Sequence, residues 1–278
     1  MSLNGVNIAL AHVGQEAIWE RVFQRLLKGK FDPAQYFTGE VYLSWHRMGN
    51  IQRLMGPPSK RWMKQQLVLQ HKILQRMKEL GIVPILPGFN GYIPLQLVKS
   101  VKGIEAEASS FWSGFTDPEF TAVNRLKAGS KYFKQIGEAM IIEQLREYSA
   151  HISHLPNRYY SVDSFNEIDP GESDVGIFSK ALFDSVASAD SQAVIVMQMW
   201  SFAHNPLQWT RVRIANFFNT VEKTPMLLLD LHGEKRPQWK RLRDIFENRP
   251  NLEIVWTLLH NFGGTEGIAG EAANIVKE

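Results

Sequence analysis

Residues Tyr159 to Pro170 read YYSVDSFNEIDP. A short apolar strand runs into the dipeptide Asn166-Glu167, and Asp169-Pro170 closes the stretch as a breaker. In a chain that alternates strands with helices, a carboxylate at the carboxyl end of a strand stands on the face where such folds do chemistry. Glu167 is therefore the leading candidate for a catalytic acid/base, and Asn166 beside it can hold a substrate hydroxyl. On the dipeptide alone, a Glu in an ordinary strand-to-helix loop is the better reading. The case rests on the rest of the chain.

Outward from this stretch, the same grammar repeats. Val6 to Ala11 is a buried-strand pattern ending at His12, and Gly14-Gln15-Glu16 opens a helix with Ile18, Val22 and Leu26 on its apolar face. The run VYLSW, residues 41–45, fits a barrel strand or an ordered loop, and the sequence does not choose. Gly56-Pro57-Pro58 is a breaker, Ser59 is placed to cap a helix carrying Leu69, Ile73, Met77 and Leu80, and Ile82 to Leu86 is the next strand. A long irregular segment to about residue 130 holds Phe111, Trp112, Phe115 and Phe120, aromatics that suit ligand stacking or a lid packed on the core. After the helix from Phe133 to Tyr148 comes the opening stretch, then a helix from Val175 to Val186 with Ser173 as candidate cap. Val194 to Met197 is a strand with Gln198-Met199-Trp200 at its end. Val212, Ala215, Phe218 and Val221 mark a helix, and Met226 to Leu229 a strand ending at Asp230. Pro237 starts a helix through Trp239, Leu242 and Phe246. Ile254 to Leu259 is the last strand, ending in His260-Asn261.

Six continuous apolar strands, each succeeded by helical sequence and tipped with polar residues, predict a parallel α/β sheet and, within that class, a (β/α)8 TIM barrel. A doubly wound sheet is the alternative, lowered because no Gly-rich phosphate loop comes after any strand. No internal repeat or linker appears, so residues 1–278 read as one domain.

Composition narrows the chemistry. Of 278 residues, 44% are hydrophobic and 21% charged, which excludes a disordered chain, and the net charge is only +3. There is no cysteine, hence no disulfide, thiolate nucleophile or Cys-ligated metal. His12, His46, His204, His232 and His260 lie near strand ends without metal-ligand spacing, so no metal and no cofactor are expected. No nucleophile elbow of the hydrolase type occurs, and no basic aromatic stripe indicates nucleic acid. The residues carry no secretory leader, no apolar run long enough to span a membrane and no N-glycosylation acceptor, so compartment is left open. Glycoside hydrolysis needs carboxylates at a barrel rim with Trp, His and Asn around them, and that set is present.

A resemblance adds to this. LNGVNIALA with GQEAIW, SWHRMGN, PILPGFNGYIP, DSFNE, QMW with Phe202 and His204, LLLDL and WTLLHNFGG succeed one another in the order found in the alpha-N-acetylglucosaminidases. Nearly the whole chain resembles the central part of these retaining glycosidases, which remove terminal alpha-linked N-acetylglucosamine from glycoconjugates such as heparan sulfate. The resemblance implies a barrel in which Glu167 is the general acid/base. Asn166, Trp200, His260 and Asn261 are then expected to line the sugar pocket, with Gln15 and Glu16 at an early strand end. Asp230 either binds substrate or orients a neighbour. The expected partner is a carbohydrate ending in alpha-N-acetylglucosamine.

The family nucleophile is a Glu in a Pro-Glu-Gly context beyond HNFGG. Thr265-Glu266-Gly267 imitates that context, but an ungapped match puts Glu266 in the segment directly after HNFGG, so Glu266 is not given the role. The expectation is a barrel open at both ends, lacking the family's first strand and its last strand region. Its alternative function is a catalytically inactive amino-sugar-binding fragment.

Overall fold

The computed structural model describes residues 2–256, apart from 172, 222, 223, 232, 234–236 and 248. Six parallel strands lie side by side in chain order: β1 (Ile8–Leu10), β2 (Val83–Pro87), β5 (Arg158–Val162), β6 (Ala193–Gln198), β7 (Met226–Asp230) and β8 (Leu252–Trp256). The register runs Leu10 to Ile85, Ile85 to Tyr159, Tyr159 to Val194, Ile195 to Met226 and Met226 to Leu252. Sequential parallel neighbours joined by helical crossovers are the (β/α)-barrel arrangement, and they exclude the doubly wound order, in which the strand sequence reverses. A two-stranded antiparallel hairpin, β3 (Ala106–Ala108) with β4 (Asn124–Leu126), sits within the long segment between β2 and β5.

The helices are α1 (Gln15–Leu26), α2 (Leu43–Arg47), α3 (Lys60–Glu79), α4 (Leu95–Ser100), α5 (Lys131–Ile152), α6 (Val175–Ala187), α7 (Trp200–His204), α8 (Arg211–Asn219), α9 (Gln238–Arg241) and α10 (Arg243–Phe246). Ser59 caps α3, its hydroxyl accepting from the Trp62 amide, and Ser130 and Thr210 do the same for α5 and α8. The sheet's helix-facing side packs on α5, α6 and α8, where Phe133, Phe178, Phe183, Phe217 and Phe218 are fully enclosed. β6, buried along all but its last residue, is the centre of this core.

Several sequence expectations shift. VYLSW is neither strand nor loop: Glu40–Tyr42 is a 3-10 turn leading into α2. Its β-branched and aromatic residues favour a strand locally, but no strand in the sheet pairs with it. The cap of α6 is Asp174, whose carboxylate accepts from the amides of Gly176 and Ile177, while the Ser173 hydroxyl donates to Glu107 instead. On α8 the buried face is Ile214, Phe217 and Phe218, and Val212 is exposed. The helix after Pro237 is split at Leu242 into α9 and α10. The strand of the opening stretch ends at Val162, not at Glu167.

Candidate active site

Between Val162 and the start of α6, the chain bends sharply, and Glu167 adopts a left-handed backbone with φ of 54°. That conformation is disfavoured for a residue with a Cβ and persists only when the surroundings fix it. Here they do. The Asp163 amide donates to Asn90 Oδ1 at 2.7 Å, and Tyr92 Oη donates to the Ser164 carbonyl at 2.7 Å. Asn50 Nδ2 donates to the Asn166 carbonyl at 2.8 Å, and Asn166 Nδ2 points at Met48 Sδ. Phe165 is buried against Phe178 and Trp209. Gly49, with φ of 78°, makes room for the Tyr92 ring, because a Cβ there would meet it at 2.2 Å.

The SWHRMGN segment is therefore a scaffold for this turn: Met48, Gly49 and Asn50 all touch it or the residue that holds it. Arg47 in the same segment clamps Glu16, with Nε to Oε1 at 2.7 Å and Nη2 to Oε2 at 3.0 Å.

The turn presents the Glu167 carboxylate to two indoles. Trp112 Nε1 donates to Oε2 at 3.0 Å, and Trp200 Nε1 lies 3.4 Å from Oε1. Trp200 comes from the first residue of α7 at the end of β6, and Trp112 from the loop after the β3 strand. That loop is tied down in turn. The Trp112 amide donates to Thr121 Oγ1, Thr121 Oγ1 donates to the Asn50 carbonyl, and the Asp169 amide donates to Ser110 Oγ.

Four residues before Glu167, Asp163 is enclosed, and its Oδ2 has no hydrogen-bond partner. Burial, reinforced by the charge of Glu167, pushes its carboxyl up to about 7. Asp163 also lines a cleft of about 210 Å3 at the carboxyl ends of β1, β2, β5 and β6, shared with His12, Gln15, Arg47, Asn90 and Gln198. Burial, with the Arg47 charge adding to it, brings the His12 imidazole down to about 4, so it faces the cleft neutral. A smaller adjoining cavity is lined by Glu16, Tyr36, His46 and Tyr92.

The residues singled out from the sequence thus separate into groups. Asn166 and Glu167 share one turn, and Trp200 reaches the Glu167 carboxylate from the start of α7. Gln15, whose Nε2 donates to the His12 carbonyl at 3.2 Å, borders the cleft, and Glu16 sits behind it on Arg47. Asp230 is fully enclosed and accepts the Gln238 and Trp239 amides at 3.2 and 3.0 Å, which makes it a cap for α9. His260, Asn261 and Glu266, like His232, lie outside the described residues. Among the described residues no cluster of His, Asp and Glu could hold a metal ion, and no helix is long and apolar enough to cross a membrane. Trp112, Asp163 and Asn90 join the site without having been singled out from the sequence as site residues. Trp112 carries a signal, as an aromatic in a long loop; Asp163 carries one too, as an acid one residue past an apolar strand.

Comparison with known proteins bears on the family and the fold. A family model described as the alpha-N-acetylglucosaminidase (NAGLU) tim-barrel domain matches residues 1–278. The human protein named alpha-N-acetylglucosaminidase is 33% identical over 279 residues, covering 99% of this chain. A family 89 glycoside hydrolase from Clostridium perfringens, solved with 2-acetamido-1,2-dideoxynojirmycin, superposes with a TM-score of 0.77 at 27% identity over 94% of this chain. The same bacterial enzyme in complex with its substrate GlcNAc-alpha-1,4-galactose gives 0.76 at 28% identity, again over 94%. This chain spans 36% of the human relative's length and 28% of each bacterial chain.

Proposed function

The chain belongs to the alpha-N-acetylglucosaminidase family, and from that premise we propose that the protein hydrolyses terminal alpha-linked N-acetylglucosamine with Glu167 as general acid/base. One observation carries the reading. Glu167 is held in a strained turn at the strand ends, its two oxygens facing the indole N–H groups of Trp112 and Trp200 beside the cleft. A carboxyl fixed in orientation on a partly enclosed rim can hand its proton to a glycosidic oxygen and take one back from water in the next step. Asn166 and Gln15 supply polar groups near the sugar.

Double displacement also requires a second carboxylate roughly 5–5.5 Å from the acid. Glu16 is taken by Arg47 and Asp230 by backbone amides, so neither suits that role. Asp163, enclosed four residues before the acid and with its carboxyl pushed up to about 7, shares the acid's field. The assignment of reaction class is tested by the stereochemistry of the first-formed sugar. Nuclear magnetic resonance of an aryl alpha-N-acetylglucosaminide digest should show the alpha-hemiacetal appearing before mutarotation. First release of the beta-anomer would remove the retaining mechanism.

A further inference from the structure

Arg125 stands at the middle of β4, directly opposite Glu107 of β3, and its side chain is only 3% exposed. An arginine so enclosed is uncommon unless it is paired. Its Nη2 donates to Glu107 Oε1 at 2.7 Å, to Ser173 Oγ at 3.1 Å and to the Pro170 carbonyl at 3.3 Å. The guanidinium also lies over the Phe165 ring, 4.7 Å from its centre, with Phe178 at 5.5 Å. Two of these contacts bracket the acid. Phe165 precedes Glu167 by two residues and Pro170 succeeds it by three, so one side chain holds the turn on both flanks.

The neighbours of Arg125 on β4 serve the same turn. The Asn124 carbonyl accepts the Ile93 amide and the Leu126 amide donates to the Gly91 carbonyl, which fixes Tyr92 between them, and Tyr92 donates to the Ser164 carbonyl. The loop joining β3 to β4 carries Trp112, so one hairpin supplies both a donor to the Glu167 carboxylate and a cation against its turn. Filling the space between Phe165 and Phe178 does not require a charge. An apolar side chain would pack there without the desolvation cost of a buried ion pair. What it could not do is reach the Pro170 carbonyl and the Phe165 ring together. Resting on the assignment of Glu167, we infer that Arg125 is a positioning residue for the acid/base: its guanidinium keeps the turn in the left-handed conformation that aims the carboxylate at Trp112 and Trp200.

The test reads the indole N–H groups directly, by nitrogen-15 magnetic resonance of the intact protein labelled at tryptophan. Glu167→Gln identifies the two resonances that depend on the carboxylate. Arg125→Met combined with Glu107→Gln removes the cation without leaving a charge unpaired. In that variant the same two resonances should shift toward the position of a water-bonded indole, while the remaining indoles and the thermal midpoint stay near wild type. Arg125→Lys, which keeps the charge and a donor, should hold them closer to their wild-type positions. On a substrate with a saccharide leaving group, kcat of the double variant should fall by about 10²-fold with KM little changed, the size of a misplacement of about 1 Å. Wild-type resonances in the double variant overturn the role, and so does a shift common to every indole, which marks general loosening. The role fails too if Glu167→Gln moves neither resonance. If Glu167→Gln hydrolyses at the wild-type rate while the double variant still moves the two indoles, the acid assignment fails and the hold of Arg125 on the turn stands.

Discussion

Arg47 grips Glu16 with both ends of its guanidinium, closing one wall of the cleft by joining the start of α1 to the end of α2. The Glu16 side chain is 2% exposed and that of Arg47 24%. Removing one partner of an enclosed pair leaves the other charge poorly compensated, which costs more than the pair itself contributes. Glu16→Ala should therefore lower unfolding stability by about 3 kcal/mol, and Glu16→Gln by less, because an amide keeps one hydrogen bond. Urea unfolding monitored by circular dichroism checks this. Equal midpoints for wild type and Glu16→Ala would show the clamp to be inert.

Gly49 sets the position of Tyr92, and Tyr92 holds the turn that carries Glu167. A methyl group at residue 49 would press into the Tyr92 ring and would also sit on a left-handed backbone. Gly49→Ala should cost about 1–3 kcal/mol from overpacking and lower kcat more than it raises KM, since the acid is displaced while the cleft remains. Steady-state kinetics beside a thermal melt separates the two effects. A stable variant with normal kcat would detach Gly49 from the site.

His12 and His46 are held down to about 4, by burial first in both cases. His46 sits edge-on to Tyr36 and Phe37 with Nδ1 3.2 Å from the Ile51 carbonyl. Both groups bind fewer protons folded than unfolded, so their contribution is complete above about pH 6.5 and fades as pH falls toward 4. Each unmatched proton contributes a slope of about 1.4 kcal/mol per pH unit within that window. Unfolding midpoints of wild type and His46→Gln, measured from pH 7 to pH 4, should show a shallower decline in the variant. Parallel declines would contradict the sign.

Asp163 works in the opposite direction. Its folded-state value is raised to about 7, so the stability it contributes is full below its ordinary carboxylate range and is lost as pH rises through 7. Asp163→Asn removes the charge and with it the penalty. The difference in Tm, variant minus wild type, should be more positive at pH 8 than at pH 5. A difference independent of pH would mean the Asp163 carboxyl is not coupled to its burial.

Much of the fold is legible in the chain because continuous apolar runs of four to six residues bounded by breakers have few other uses. Ile82–Leu86, Val194–Met197 and Met226–Leu229 all supply strands, and Glu167 does fall beyond one such run. The misreadings share a cause: the deciding partner is far away in sequence. VYLSW has strand-forming residues, yet its place is set by the turn that its neighbours Met48 and Asn50 brace at Asn166. Asp230 reads from the sequence as a substrate ligand or an orienter of a neighbour, and the Gln238 and Trp239 amides its carboxylate accepts stand eight and nine residues further on. Ser173 and Asp174 are equally good caps on paper, and Glu107 decides between them. Trp112 reaches Glu167 across 55 positions, a pairing that no local pattern announces.

The central claim is that Glu167 delivers a proton to the leaving oxygen. It is tested most directly by kcat/KM of wild type and Glu167→Gln on two alpha-N-acetylglucosaminides, one with a saccharide leaving group and one with a dinitrophenyl group that departs without protonation. The account expects a loss of about 10²–10⁴-fold on the first substrate and a far smaller loss on the second. Equal losses on both, or none on the saccharide, would contradict it.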